Sequence, residues 1–139
     1  MKGAYPVFIA QAEEDYLVYV PDFEIYTEGK NIPDAIEMAR DAIGLAGIDY
    51  EDDGKVLPVA SDYDKALAKA REDTEIFDYS QGLLSMVDVD FAEYRKKHDN
   101  RMVKKNCTIP YYLNVAAEKE GINFSKILQE ALMTKLGVS

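Results

Sequence analysis

The chain has 139 residues, 47% of them hydrophobic, and carries 26 Asp and Glu against 16 Lys and Arg for a formal net charge of −10. That content supports packed cores in one or two small domains and excludes a wholly disordered chain. Met1-Lys2-Gly3-Ala4-Tyr5-Pro6 lacks the apolar run of a signal peptide, no stretch approaches membrane-spanning length, and the single Cys107 offers neither an internal disulfide nor a zinc site, so the expectation is a cytoplasmic protein with no membrane, metal or cofactor.

Two strand patterns, 5–11 and 16–20, flank the turn-prone Ala12-Glu13-Glu14-Asp15 and predict a hairpin. Pro21-Asp22 breaks the second pattern, 24–27 predicts a third strand, and Glu28-Gly29-Lys30 predicts a turn. Asn31 is placed to cap a helix with Pro33 in its first turn, and Ile32, Ala35, Ile36, Ala39, Ile43 and Ala46 mark the apolar face that should lie on the sheet. Asp49 to Gly54 reads as a loop. Ser61 with Asp64 resembles a capping box for a second helix that sends Tyr63, Ala66, Leu67 and Ala70 inward. A last strand, 83–89, is apolar on both faces for most of its length and is expected to be covered twice.

Charge then changes sign. Residues 1–94 hold 22 acidic and 7 basic side chains, a net of −15, whereas residues 95–139 hold 4 and 9, a net of +5. The run Arg95-Lys96-Lys97-His98-Asp99-Asn100-Arg101 reads as a hinge, either adding phosphate contacts or serving as a solvated linker. The division is therefore an acidic domain over 1–94, a hinge over 95–102 and a basic domain over 103–139. DNA affinity comes largely from neutralised phosphates, so only the basic part suits nucleic acid.

Within that part, Val103–Ile109 predicts a strand with Cys107 and Ile109 on one side and Lys104, Asn106 and Thr108 on the other. Pro110 stops it. A helix follows from Tyr111 to about Lys119, Gly121 supplies the left-handed residue that ends it, and Asn123 is placed to cap a second helix. Phe124, Ile127, Leu128, Ala131, Leu132 and Leu136 form a face too wide for a 37-residue unit to bury alone, so a partner must cover it.

The segment Asn106-Cys107-Thr108-Ile109-Pro110, Gly121 and the run Phe124-Ser125-Lys126-Ile127-Leu128 resemble the ribbon-helix-helix family over the last quarter of the chain. That resemblance implies a homodimer whose paired strands enter the major groove of operator double-stranded DNA, with tetramers formed as pairs of dimers on repeated half-sites. By position, Lys104, Asn106 and Thr108 would touch base edges, and their chemistry fits: Lys donates to guanine, Asn bonds adenine twice, and Thr meets an acceptor or a thymine methyl. Asn123, Phe124 and Ser125, at the amino end of the second helix, would hold a phosphate through backbone amides. Cys107 would belong to the ribbon core. The alternative is a helical dimerisation tail whose strand is only a linker.

Upstream, Tyr5-Pro6-Val7-Phe8-Ile9, Tyr19-Val20-Pro21-Asp22, Thr27-Glu28-Gly29 and the helix from Ala35 to Ala42 resemble HicB antitoxins, a likeness covering most of 1–97. Where many members carry a Leu-Pro-Gly turn, this chain has Phe23-Glu24-Ile25. The resemblance implies an α+β fold: a small sheet-and-helix domain similar to part of a ribonuclease H fold, followed by the ribbon-helix-helix dimerisation domain. It also implies the antitoxin of a type II pair, one that neutralises a small basic HicA-like toxin cleaving messenger RNA and represses its own operon. Glu13, Glu14, Asp15, Asp22 and Glu28 are the candidate toxin contacts. Two other classes compete with this one: a free-standing repressor with a ligand-sensing first domain, and a metal-dependent nuclease using Asp88 and Asp90 with Asp22 or Glu24. Exposed carboxylates at a strand end are ordinary, and His98 has no second ligand or nucleophile beside it, so no catalytic residue is assigned.

Overall fold

Strand β1 (Lys2–Ala12) is buried on both faces from Tyr5 to Ala10, which makes it the strand around which two layers assemble. The computed structural model describes residues 1–74 and 77–138; Ser139, the end of the 103–139 segment, lies outside the described residues. With β2 (Asp15–Val20), β3 (Ile25–Gly29) and β4 (Leu83–Asp90), β1 forms an antiparallel sheet in the order β3-β2-β1-β4. Ala12 pairs with Asp15, so the first hairpin turns on Glu13-Glu14, with Glu13 in the left-handed region at φ 58°. Tyr19 lies opposite Tyr26 on β3, and Tyr5 opposite Val87 on β4.

One face of the sheet packs Tyr5, Val7, Ile9, Val18, Val20, Val87 and Val89 against Ala35, Ala39 and Ile43 of α1 (Ile32–Asp52). Burying a side chain such as Ile43 completely contributes about 1.5–3 kcal/mol. The other face sets Phe8, Ala10 and Tyr19 against Ala66 and Ala70 of α2 (Tyr63–Glu72), with Tyr79 added by a short 3-10 helix over Tyr79–Gln81. Asn31 caps α1 as expected, accepting from the Asp34 amide. The helix continues through part of the expected 49–54 loop, because Tyr50 is anchored edge-on against Phe23 and both Glu51 and Asp52 pair with Arg95.

Three further details differ from the sequence expectations. Asp62, not Ser61, caps α2 by accepting from the Lys65 amide, while Ser61 donates its amide and hydroxyl to Asp22. Tyr63 stays exposed, since a side chain in a helix's first turn leans toward the amino end and off the sheet. Strand β4 is not covered twice: as an edge strand it buries Val87 and Val89 against α1 but leaves Leu83, on that same face, 54% exposed, and on the other face Met86 is 58% exposed and Leu84 half-buried.

Residues 91–98 form a helix, α3 (Phe91–His98), capped by Asp90 through the Glu93 amide. The run from Arg95 to His98 is its last turn, where cations complement the helix dipole. Arg95 pairs with Glu51, Asp52 and Asp99, and Arg101 pairs with Asp52 and Asp99, so this basic segment is clasped to the end of α1. The chain accordingly divides into compact units of Met1–Arg101 and Met102–Ser139. Their compositions, 23 acidic with 11 basic and 3 acidic with 5 basic, give nets of −12 and +2. In the second unit, α4 (Tyr111–Lys119) and α5 (Phe124–Leu136) are separated by Gly121 at φ 66°. Asn123 caps α5 through the Lys126 amide. Val103–Ile109 forms no strand ladder within the single chain.

Candidate functional site

Lys104, Asn106, Thr108 and Cys107 are all exposed, in a segment without regular hydrogen bonding of its own. Asn123 spends its side-chain oxygen on the cap, which leaves the Phe124 and Ser125 amides as the free first-turn donors of α5. No residue of α4 or α5 is buried: Phe124 is 44% exposed, Ile127 52% and Leu132 50%. The two helices thus carry an apolar surface that the single chain does not cover.

In the first unit the acidic candidates fall at two ends of the β2–β3 ribbon. Glu13, Glu14 and Asp15 sit at or beside the hairpin tip, and Glu28 lies opposite Leu17 near the same end. Asp22 sits at the other end, in the turn closed by the Glu24 amide on the Pro21 carbonyl, and is engaged by Ser61. Phe23, the first residue of the Phe23-Glu24-Ile25 junction, is buried edge-on against Tyr5 with ring centroids 4.9 Å apart. Beside this turn, Tyr19, Glu24, Tyr26, Lys69, Glu72 and Asp73 line an open cleft. Sequence reasoning missed Tyr26, Glu72 and Asp73, because only the placement of α2 over the sheet brings them to Tyr19.

The carboxylates of the nuclease alternative have structural partners. Asp88 pairs with Arg40 at 3.1 Å, and the guanidinium hydrogen bond holds its carboxyl below the ordinary aspartate range. Arg40 Nε also donates to the Asp88 backbone carbonyl at 2.9 Å. Asp90 caps α3, Asp22 holds Ser61, and Glu24 pairs with Lys69 at 3.1 Å. His98 stacks on Tyr94, ring centroids 4.2 Å apart. Among the described residues no three His, Cys, Asp or Glu side chains gather to hold a metal.

Charge and burial predict how stability follows pH. Hydrogen bonds from Arg95 and then Arg101 lower the Asp52 carboxyl, and one from Arg101 lowers Asp99, both below the ordinary 3.8. Their stabilisation is complete above that value and is lost as the pH falls below it. Burial raises the phenols of Tyr5, Tyr79 and Tyr94 above 10.0, with a hydrogen bond to Asp41 adding to Tyr94, and pushes Tyr19 up to about 12. Their stabilisation is complete below 10.0 and is lost as the pH rises through the folded values. Urea midpoints should therefore fall on both sides of a plateau, and Arg101→Ala should make the acid limb shallower while leaving the alkaline limb unchanged.

The family of HicB_like antitoxins of bacterial toxin-antitoxin systems matches residues 5–131, from β1 through most of α5. This chain is a HicB-like antitoxin. A chain of a toxin-antitoxin complex from Streptococcus pneumoniae is 30% identical to it, with 97% of this chain and 99% of that one covered and a TM-score of 0.61. The antitoxin HicB3 shares 26% identity over 99% of each chain at a TM-score of 0.51. The antitoxin HicB of Burkholderia pseudomallei, at 21% identity, 96% and 98% coverage and a TM-score of 0.52, shares the fold. Among curated protein sequences nothing matches. The HicB-like fold seen here is α+β, with a four-stranded antiparallel sheet. No helix among the described residues of this HicB-like chain is long and apolar enough to cross a membrane.

Proposed function

We propose that this antitoxin neutralises a HicA-like, messenger-RNA-cleaving toxin through the Met1–Arg101 unit. As a homodimer it represses its own operon by binding operator DNA through a ribbon-helix-helix Met102–Ser139 unit. The observation that carries the DNA half is the uncovered apolar face of α4 and α5, preceded by a strand-patterned segment that has no ladder partner within one chain. A second copy supplies both needs at once, pairing Val103–Ile109 with itself and burying Phe124, Ile127, Leu128 and Leu132. Lys104, Asn106 and Thr108 then face the bases. The toxin half is supported by the similarity to a chain of a toxin-antitoxin complex and by the net of −12 on the first unit, which attracts a cationic partner. The role is binding, since the carboxylates a nuclease would need are engaged in caps and ion pairs.

Expression of the adjacent small basic reading frame, with and without this chain, tests the proposal. Growth arrest and cleaved messenger RNA, both reversed by this chain, are expected. A neighbour without effect would rule out the toxin half, and a chain that fails to shift DNA from upstream of its operon would rule out the other.

The clasp decides where the chain can be divided. A fragment ending at Arg101 should keep toxin affinity and lose operator binding. One ending at Tyr94 loses Arg95 and Arg101 with their pairings to Glu51, Asp52 and Asp99, and should melt at a distinctly lower temperature. Equal melting of the two fragments would show that the Arg95 and Arg101 pairings contribute nothing to the first unit.

A further inference from the structure

The cleft beside α2 has a composition that the fold alone does not account for. Its floor is aromatic: Tyr19 and Tyr26 stack at 5.0 Å between centroids with planes 23° apart, and Tyr79 lies 5.4 Å from one and 5.7 Å from the other. Tyr26, on edge strand β3, is 46% exposed and leaves ring surface in solvent. The walls are acidic. Glu24 is paired with Lys69, whose ammonium also reaches the Pro21 carbonyl at 3.5 Å, but neither Glu72 nor Asp73 has an ion-pair partner among the described residues. Both lie at the carboxyl end of α2, where the helix dipole is itself negative and carboxylates weaken the helix.

A second observation is independent of the acidic residues. Tyr19 is only 3% exposed, lines the cleft, and its hydroxyl has no hydrogen-bond partner among the described residues. No side-chain oxygen sealed from solvent is left without a partner among the described residues, so this hydroxyl reaches the opening of the cleft, where it is free to accept from a donor seated there. Three features thus converge on one opening: an aromatic face, two carboxylates without ion-pair partners and a phenol oxygen not engaged by the protein. Ammonium groups are compact and strongly hydrated. A guanidinium is planar, stacks on a tyrosine ring, and presents enough N–H groups to serve two carboxylates and a hydroxyl together.

We propose that the cleft formed by Tyr19, Tyr26, Glu72 and Asp73 receives an arginine side chain of the toxin. The inference rests on the toxin-neutralising reading and specifies where one basic side chain is held. The opening is too exposed to retain free arginine tightly, whereas within a protein interface the same contacts are desolvated and become an anchor. The raised Tyr19 phenol is in keeping with the negative potential there, since Asp73, Glu24 and Glu72 add to the effect of burial.

The test uses the full chain and the double variant E72Q/D73N, which keeps shape and hydrogen bonding while removing both charges. Calorimetry against the toxin encoded by the adjacent reading frame should show affinity weakened about tenfold or more, with the far-ultraviolet circular dichroism and melting temperature of the variant preserved. Tyr26→Ala should weaken it as well. In parallel, N-acetyl-arginine methylamide should shift the amide resonances of Tyr19, Tyr26 and Asp73 in the wild-type chain. The lysine analogue should do so less, and the uncharged citrulline analogue not at all. A folded double variant that binds toxin as tightly as wild type overturns the cleft and leaves the antitoxin reading standing. Arginine-analogue shifts that bypass these residues overturn it equally. A wild-type chain that binds no toxin overturns the reading on which the proposal rests.

Discussion

Replacing Lys104, Asn106 and Thr108 together with alanine should abolish operator binding and leave the dimer intact. Each lost base contact costs about 1–3 kcal/mol, so the three amount to roughly 3–9 kcal/mol, enough to bring specific binding down to the nonspecific level. Folding should not suffer, because all three side chains are exposed and none is engaged in a hydrogen bond or ion pair in the single chain. The singles separate their roles. Asn106→Ala should relax discrimination at one base pair, whereas a Lys104 that contacts phosphate would weaken all sequences alike and reduce the salt dependence. Fluorescence anisotropy at fixed salt, with sedimentation to confirm the dimer, makes the measurement. Unchanged affinity in the triple variant would remove the ribbon from the second unit.

Gly47→Ala should destabilise the first unit, although alanine in a helix interior ordinarily gains up to about 1 kcal/mol over glycine. A methyl at Gly47 would clash with the edge of the Phe91 ring, and one at Gly44 would lie 2.6 Å from the Tyr94 ring. These glycines, one turn apart on α1, form the shallow track on which the aromatic rings of α3 lie. Phe91 is 7% exposed and edge-on to Tyr5, so its ring cannot swing into solvent without emptying part of the core. Overpacking of this kind costs about 1–3 kcal/mol and outweighs the propensity gain. The expected result is a lower urea midpoint and faster tryptic cleavage between Arg95 and Arg101, since displacing α3 releases the Arg95 and Arg101 clasp. Phe91→Leu added to Gly47→Ala should recover part of the loss, as coupled neighbours do. A Gly47→Ala chain more stable than wild type would mean that α3 does not lie on α1.

The elements most legible in the sequence are those with local punctuation. Asn31 and Pro33 mark the start of α1, while Pro110, Gly121 and Asn123 bound α4 and α5 so closely that the expected Tyr111–Lys119 helix is the one observed. Helix α3 was hidden because its partners Gly44 and Gly47 lie more than forty residues earlier and the charges of its last turn resemble a solvated hinge. A local signal was present in Asp90 three residues before Glu93, the spacing of a cap, followed by Phe91 and Tyr94 on one face. Coverage of β4 was overestimated because an apolar pattern does not say whether a strand is central or at an edge. The cleft was invisible for a related reason: Glu72 and Asp73 read as the frayed end of a polar helix until α2 is laid across β1 and β2.

Strand β4 faces outward with Leu83 and Met86 uncovered, which on most sheets would template the addition of a foreign strand. Arg40 intervenes. Its side chain crosses from α1 to occupy the Asp88 carbonyl and carboxylate, so an incoming backbone would have to displace a charged group to continue the sheet. The outer edge of β4 is therefore blocked at Asp88, and a surface ion pair disfavours the addition of a foreign strand there.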